Sequence, residues 1–197
     1  MAEYKDLVSR VVTALEASTI SYVIVGGFAA IFRGVPRTTT DLDVIIENDP
    51  VKIESFLQEL KKNGFDVMEQ QTRLALAEGS DFSIFDYQSP LRVDLKIATK
   101  QVDRIALKKG LPEEYEGMKI CLASPELILF GKVLYTGDIS MESDADLLEF
   151  NDVRDFINVF TQSGGIDMDW LTGMAAKHGL TKTLDRLLDI AKNEPKA

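Results

Sequence analysis

The stretch YVIVGGFAAIFRGVPRTTTDLDVIIE, residues 22–47, decides how this chain is read. An apolar run (Tyr22–Val25) ends in adjacent glycines, Gly26 and Gly27, and a short helical piece follows. A loop with Arg37 and three threonines then leads to Asp41-Leu42-Asp43 at the head of a second apolar run. The order is strand, turn, helix, loop, strand. Side chains alternate faces along a strand, so Asp41 and Asp43 project from one side, with Cα atoms about 6.6 Å apart, and Leu42 points into a core. Carboxylates held side by side repel each other unless a cation sits between them, and a hard divalent ion, magnesium or manganese, matches an all-oxygen donor set.

Working outward, Leu7, Val11, Val12 and Leu15 recur at helical spacing and predict an amphipathic helix over 4–17. After the Asp-bearing strand, Asp49 and Pro50 mark a helix start. That helix is expected to turn Val51, Ile53, Phe56, Leu57 and Leu60 inward and to stop at Gly64. From Phe65 to Ala98 the period changes to two, which predicts an antiparallel meander of strands at 65–68, 74–78, 82–87 and 91–97. On the last strand Val93, Leu95 and Ile97 share one face and Arg92, Asp94 and Lys96 the other, making Asp94 a candidate third carboxylate. Lys100, Arg104 and Lys108 fall at i, i+4 and i+8, a basic stripe that is either a solvated face or a guide for polyphosphate. Residues 112–117 read as a turn and 118–122 as a strand, and Ser124-Pro125-Glu126 opens a helical C-terminal part. Apolar stripes through Phe150–Phe160 and Leu184–Leu188 predict a small bundle there. The acidic run at 138–155 reads mainly as a solvated face.

The expectation is therefore an α/β (α+β) chain: a mixed-sheet domain over 1–122 with flanking helices, and a helical subdomain over 123–197. A length of 197 residues at 45% hydrophobic is ample for a core of this size. The net charge of −10 argues against broad, non-specific wrapping of DNA, which needs a basic footprint, and leaves room for a small local groove. No apolar run is long enough to span a bilayer and the N-terminus does not read as a signal sequence, so a cytoplasmic protein without a membrane partner is expected. The single cysteine, Cys121, reads as a reduced structural thiol, and the single histidine, His178, as a helix-end residue.

Gly26-Gly27, the Arg37-to-Thr40 loop, Asp41-Leu42-Asp43 and Val93-Asp94-Leu95 together resemble the nucleotidyltransferase superfamily built on the DNA polymerase β palm. The Arg37, Thr39, Asp41, Leu42, Asp43 pattern looks most like the branch of minimal nucleotidyltransferases, lincosamide-type resistance enzymes and toxin–antitoxin nucleotidyltransferases. The second half, with Ser124 to Leu127, Lys132 and Asn151-Asp152-Val153-Arg154-Asp155, is similar to the helical motif of abortive-infection nucleotidyltransferases, which carry lysine where this chain has Asn151. The resemblance implies Asp41, Asp43 and Asp94 as catalytic, metal-holding residues. It implies Gly26, Gly27, Arg37, Thr39 and Lys132 as contacts for a nucleoside triphosphate, with Asp152 a further substrate contact. The acceptor it implies is a hydroxyl of RNA, a partner protein or a small molecule. A second reading keeps the fold and makes it a binding module in a toxin–antitoxin pair. A third, an unrelated α/β protein with a chance Asp-x-Asp, requires Asp94 to lie far from Asp41.

Overall fold

The computed structural model describes residues 2–193 and divides into two compact units. The first comprises Met1–Phe28 and Thr38–Ala123, the second Ala29–Arg37 and Ser124–Ala197.

The first unit carries α1 (Ala2–Ala17), β1 (Tyr22–Ile24), β2 (Asp41–Ile46), α3 (Pro50–Lys62), β3 (Phe65–Asp66), α4 (Glu69–Glu78), β4 (Phe82–Asp86), β5 (Arg92–Ile97), α5 (Gln101–Lys108), β6 (Gly110–Tyr115) and β7 (Met118–Ala123). The strands form one mixed sheet in the order β3-β4-β5-β2-β1-β7-β6. β2 lies in the middle, antiparallel to β1 and parallel to β5. Leu42, Val44 and Ile46, with Val93, Leu95 and Ile97, make one fully buried face, as period-two patterning requires. Helices α1 and α3 pack on each other and bury Leu7, Val11, Leu15, Ile53, Phe56 and Leu60. Asp49 caps α3 through Val51 N and Lys52 N, with Pro50 in the first turn. On the opposite face α5 packs against β1 and β2, and its buried Asp103 meets Lys96 at 3.3 Å.

Three expectations are corrected here. Residues 74–78 belong to helix α4, not to a strand: the segment EQQTRLALAE is rich in helix formers, and that propensity outweighs a short alternation. Its C-cap, Gly79, sits at φ 63°, a left-handed position open to glycine. Residues 110–115 form edge strand β6, hairpinned to β7 through Glu116 and Gly117, both at positive φ. Pro112 is tolerated because β6 lies at the rim of the sheet. Val51 is 80% exposed, since the stripe at 53, 56, 57 and 60 already completes the inward face of α3.

Helix α2 (Gly26–Phe32) begins in the first unit and ends in the second. The second unit also holds α6 (Pro125–Thr136), α7 (Asp144–Leu147), α8 (Asn151–Gln162), α9 (Met168–Lys177) and α10 (Thr181–Asn193). Helix α6 packs on α8 and α9, and α10 on α8 and α9. Phe130 meets Trp170 edge-on at 5.9 Å, and the exposed His178, at the end of α9, lies 5.3 Å from the same ring. Phe150, expected in the bundle stripe, is instead the half-exposed N-cap of α8. Among the described residues no helix is long and apolar enough to cross a membrane.

Candidate active site

β2 and β5 run parallel in a register that pairs Asp41 with Arg92 and Asp43 with Asp94. Side chains directly opposite on neighbouring strands stand about 5 Å apart at Cβ, so three carboxylates share one patch of the sheet face. Asp41, Asp43 and Asp94 are each partly exposed, while Leu42 between the first two is fully buried. The structure thus brings the three candidate carboxylates together, and the chance-motif reading does not hold.

A cation already stands among them. Arg92 Nη2 donates to Asp41 Oδ2 at 2.9 Å, and Arg92 Nε donates to Asp94 Oδ1 at 3.0 Å and Oδ2 at 3.1 Å. The bond to Asp94 leads the raising of the Arg92 pKa above its ordinary value, with the charges of Asp94, Asp41 and Asp43 adding to it. Ser83 Oγ, on the neighbouring strand, donates to Asp94 Oδ1 at 2.5 Å. Thr39 Oγ1 donates to Asp41 Oδ1 at 2.7 Å, so its hydroxyl serves the carboxylate here. The start of β2 is pinned from beneath: Tyr4 of α1 donates its hydroxyl to Asp41 O at 2.6 Å, and its ring stacks on Phe28 at 5.5 Å.

Gly26 completes the patch. Its φ is +65°, and a Cβ built on it would fall 1.8 Å from Asp43 Oδ2. Only glycine lets this turn pass so close to the carboxylate. Val25 N donates to Asp43 O at 2.9 Å, holding the turn against β2, and Gly27 is buried in the first turn of α2.

The donor chemistry suits a hard divalent cation: three carboxylates on one sheet face, one of them packed against Gly26 where a Cβ would collide, and a charge pattern that already holds one cation. Among the described residues no three His, Cys, Asp or Glu side chains converge as a ready metal cage. Oxygens of Asp41 and Asp94 are bonded to the Arg92 guanidinium in this arrangement.

Arg37 and Lys132 lie in the second unit and meet on a different carboxylate. Asp155, 1% exposed on α8, has Oδ2 2.6 Å from Lys132 Nζ and 3.1 Å from Arg37 Nη1. Both are charge–charge approaches without hydrogen-bond angles at that oxygen. Lys132 donates to Asp152 Oδ1 at 2.7 Å, and Arg37 Nε is buried with no hydrogen-bond partner among the described residues. The acidic run is thus largely solvated, as expected, except for Asp155. Lys100, Arg104 and Lys108 are all exposed along α5, whose first residues follow the far end of β5 from Asp94. Burial raises the pKa of the half-buried Cys121 thiol, as suits a structural residue.

Arg92, Ser83 and Asp155 were not singled out from sequence. For Arg92 a signal existed, since it shares the strand face of Asp94 two residues on.

No family model and no curated protein matches the sequence. Among solved structures, the solution structure of the antibiotic-resistance factor ANT(2'')-Ia superposes with a TM-score of 0.59 at 16% identity, over 94% of this chain and 96% of its own. The crystal structure of ANT(2'')-Ia in complex with adenylyl-2''-tobramycin gives 0.58 at 15%, over 93% and 98%. An antigenic nucleotidyltransferase-like protein from Paracoccidioides brasiliensis gives 0.56 at 22%, over 98% and 94%. Identities this low speak for the fold and leave the chemistry to the residues.

Proposed function

We propose that this chain, which has the nucleotidyltransferase fold, transfers a nucleoside monophosphate from a nucleoside triphosphate to a hydroxyl in a reaction that depends on Mg²⁺ or Mn²⁺. The observation that carries the reading is the β2–β5 register, which sets Asp94 beside Asp43 on the face bearing Asp41, next to the turn at Gly26.

A divalent ion held by Asp41, Asp43 and Asp94 supplies charge neutralisation on the phosphates and activation of the acceptor hydroxyl. The chain's own residues do the rest. The strands fix the carboxylates, so orientation is paid for in folding and not at the moment of reaction. Asp94, held on β5 apart from the Asp-x-Asp pair of β2, is assigned as acceptor of the hydroxyl's proton. Gly26 and Gly27 bring backbone N–H groups close to where β- and γ-phosphates bind. Thr39 orients Asp41 through its hydroxyl. Arg37 and Lys132 are assigned, from the sequence resemblance, as cations for the nucleotide. The net charge of −10 favours a cationic small molecule or a protein hydroxyl over a polyanionic acceptor. A protein acceptor would place the chain in a toxin–antitoxin pair.

The test is incubation with each labelled triphosphate, Mg²⁺ or Mn²⁺, and three acceptor classes: RNA, candidate partner proteins, and small polyhydroxylated amines. Mass analysis then shows which species gains a nucleotide. Transfer that disappears in Asp43→Asn supports the proposal. Nucleotide and metal binding with transfer to nothing would leave a binding module in its place.

A further inference from the structure

Arg92 is placed where a metal's ligands are. Its guanidinium spans Asp41 and Asp94, and its side chain is 40% exposed against 25% and 29% for the two carboxylates. A purely structural purpose does not account for it. β2 and β5 are already joined by a six-pair parallel ladder. A half-exposed ion pair adds little to such a sheet. A buried arginine–aspartate pair with that purpose exists elsewhere on the sheet, at Arg10 and Asp86. What the fork does achieve is to neutralise carboxylates that would otherwise repel each other, and it does so with the group best shaped to grip phosphate once released.

We propose that Arg92 is an exchangeable counter-cation of the proposed active site: it holds Asp41 and Asp94 when the site is empty, gives them up to the divalent ion, and passes its guanidinium to the incoming triphosphate. The inference rests on the metal-dependent reading above. No bond is made or broken in the exchange; two ion pairs are traded for two others. Its consequence is coupling. Metal alone must compete with an internal cation and binds poorly. A triphosphate offers that cation a new partner, so metal and nucleotide load together. In the terms of linkage, each raises the affinity of the other by the same factor.

The exchange is tested on the full chain by following free Mn²⁺ by electron paramagnetic resonance, with and without ATP, GTP, CTP or UTP, in wild type, Arg92→Gln, Arg92→Lys and Asp43→Asn. Arg92→Gln is expected to bind Mn²⁺ alone about five- to thirtyfold more tightly than wild type, the equivalent of one or two exposed ion pairs. The enhancement of Mn²⁺ affinity by the best triphosphate should shrink by a similar factor. Arg92→Lys, which keeps the charge and loses the fork, should fall between. Circular dichroism confirms folding, and the half-exposed position makes its loss unexpected. Equal Mn²⁺ affinity in wild type and Arg92→Gln, or an unchanged triphosphate enhancement, overturns the exchange even if Asp43→Asn abolishes binding and the metal site stands. Absence of Mn²⁺ binding in every variant, with or without triphosphate, defeats the metal reading itself and the exchange with it.

Discussion

Two arginines of the first unit each grip aspartate on the same sheet, and they do opposite things with it. Arg10 of α1 reaches Asp86 on β4 with a bidentate fork, at 2.9 and 2.8 Å, and also donates to Asn63 O at 2.9 Å, while its guanidinium lies 4.7 Å over the ring of Phe65. The Asp86 side chain is 0% exposed and further satisfied by Ser89 Oγ and Gln88 N. Arg92 grips Asp41 and Asp94 with comparable distances at an open face. The distances do not distinguish the two; the surroundings do. In the first case the carboxylate is fully buried with every bond internal, and Arg10, 14% exposed, also pairs with Asp6 at 2.7 Å, so the cluster locks a helix to a sheet. In the second the partners are accessible to a competing cation.

That contrast can be broken at its strong end first. Asp86→Ala should cost about 3 kcal/mol of stability, the low end for a broken buried pair because Asp6 still partners Arg10, read as a lowered urea midpoint. A loss under 1 kcal/mol would mean that the pair is worth no more than a surface one. Asp43→Asn should instead cut transfer about 10²- to 10³-fold, roughly 3–4 kcal/mol of barrier, with the urea midpoint nearly unmoved. Equal losses of activity and stability would contradict the division of labour. Gly26→Ala should do some of both, since its φ of +65° and the 1.8 Å approach to Asp43 leave no room for a methyl group. The left-handed backbone alone costs about 1–2 kcal/mol, and displacement of Asp43 should lower activity further.

The acid limb of stability sharpens the comparison more gently. Burial pushes the Asp86 carboxyl up, but its hydrogen bonds from Arg10, Ser89 and Gln88 outweigh burial and hold it below its ordinary value of 3.8. A carboxyl depressed in the folded state contributes stability that is present above its unfolded value and lost as pH falls through the folded one. Denaturation midpoints should therefore drop below about pH 4, and Asp86→Asn should flatten that slope while lowering the plateau. The smallest effect belongs to Arg92→Gln, whose stability change should stay within about 1 kcal/mol. A drop as large as that of Asp86→Ala would make Arg92 a structural residue and remove the contrast.

Much of this was readable from residues 22–47. The alternation in Asp41–Ile46 places both carboxylates on one face and Leu42 in the core, and the structure shows the same. Arg92 sharing a face with Asp94 was equally readable. What alternation cannot supply is register between strands distant in sequence, and it is register that sets Arg92 opposite Asp41. Asp155 escaped for a related reason. In an acidic run its burial depends on how α6 meets α8, and no local pattern separates it from its solvated neighbours. The helix α4 was hidden by Leu74 and Leu76 at strand-like spacing, although Leu74 is 59% exposed and buries nothing of note.

The parallel pairing of β2 with β5 also sets an order of events in biosynthesis. Parallel neighbours cannot be joined by a tight turn, so residues 47–91, with α3, β3, α4 and β4, must be made before the two strands can meet. Closing so long a crossover costs chain entropy that only the finished ladder repays. On the ribosome Asp41 and Asp43 therefore emerge before Arg92, the cation that pairs with Asp41, which arrives with the same strand that brings Asp94. A chain cut short of Arg92 carries the Asp-x-Asp motif intact and lacks both its counter-cation and its third carboxylate.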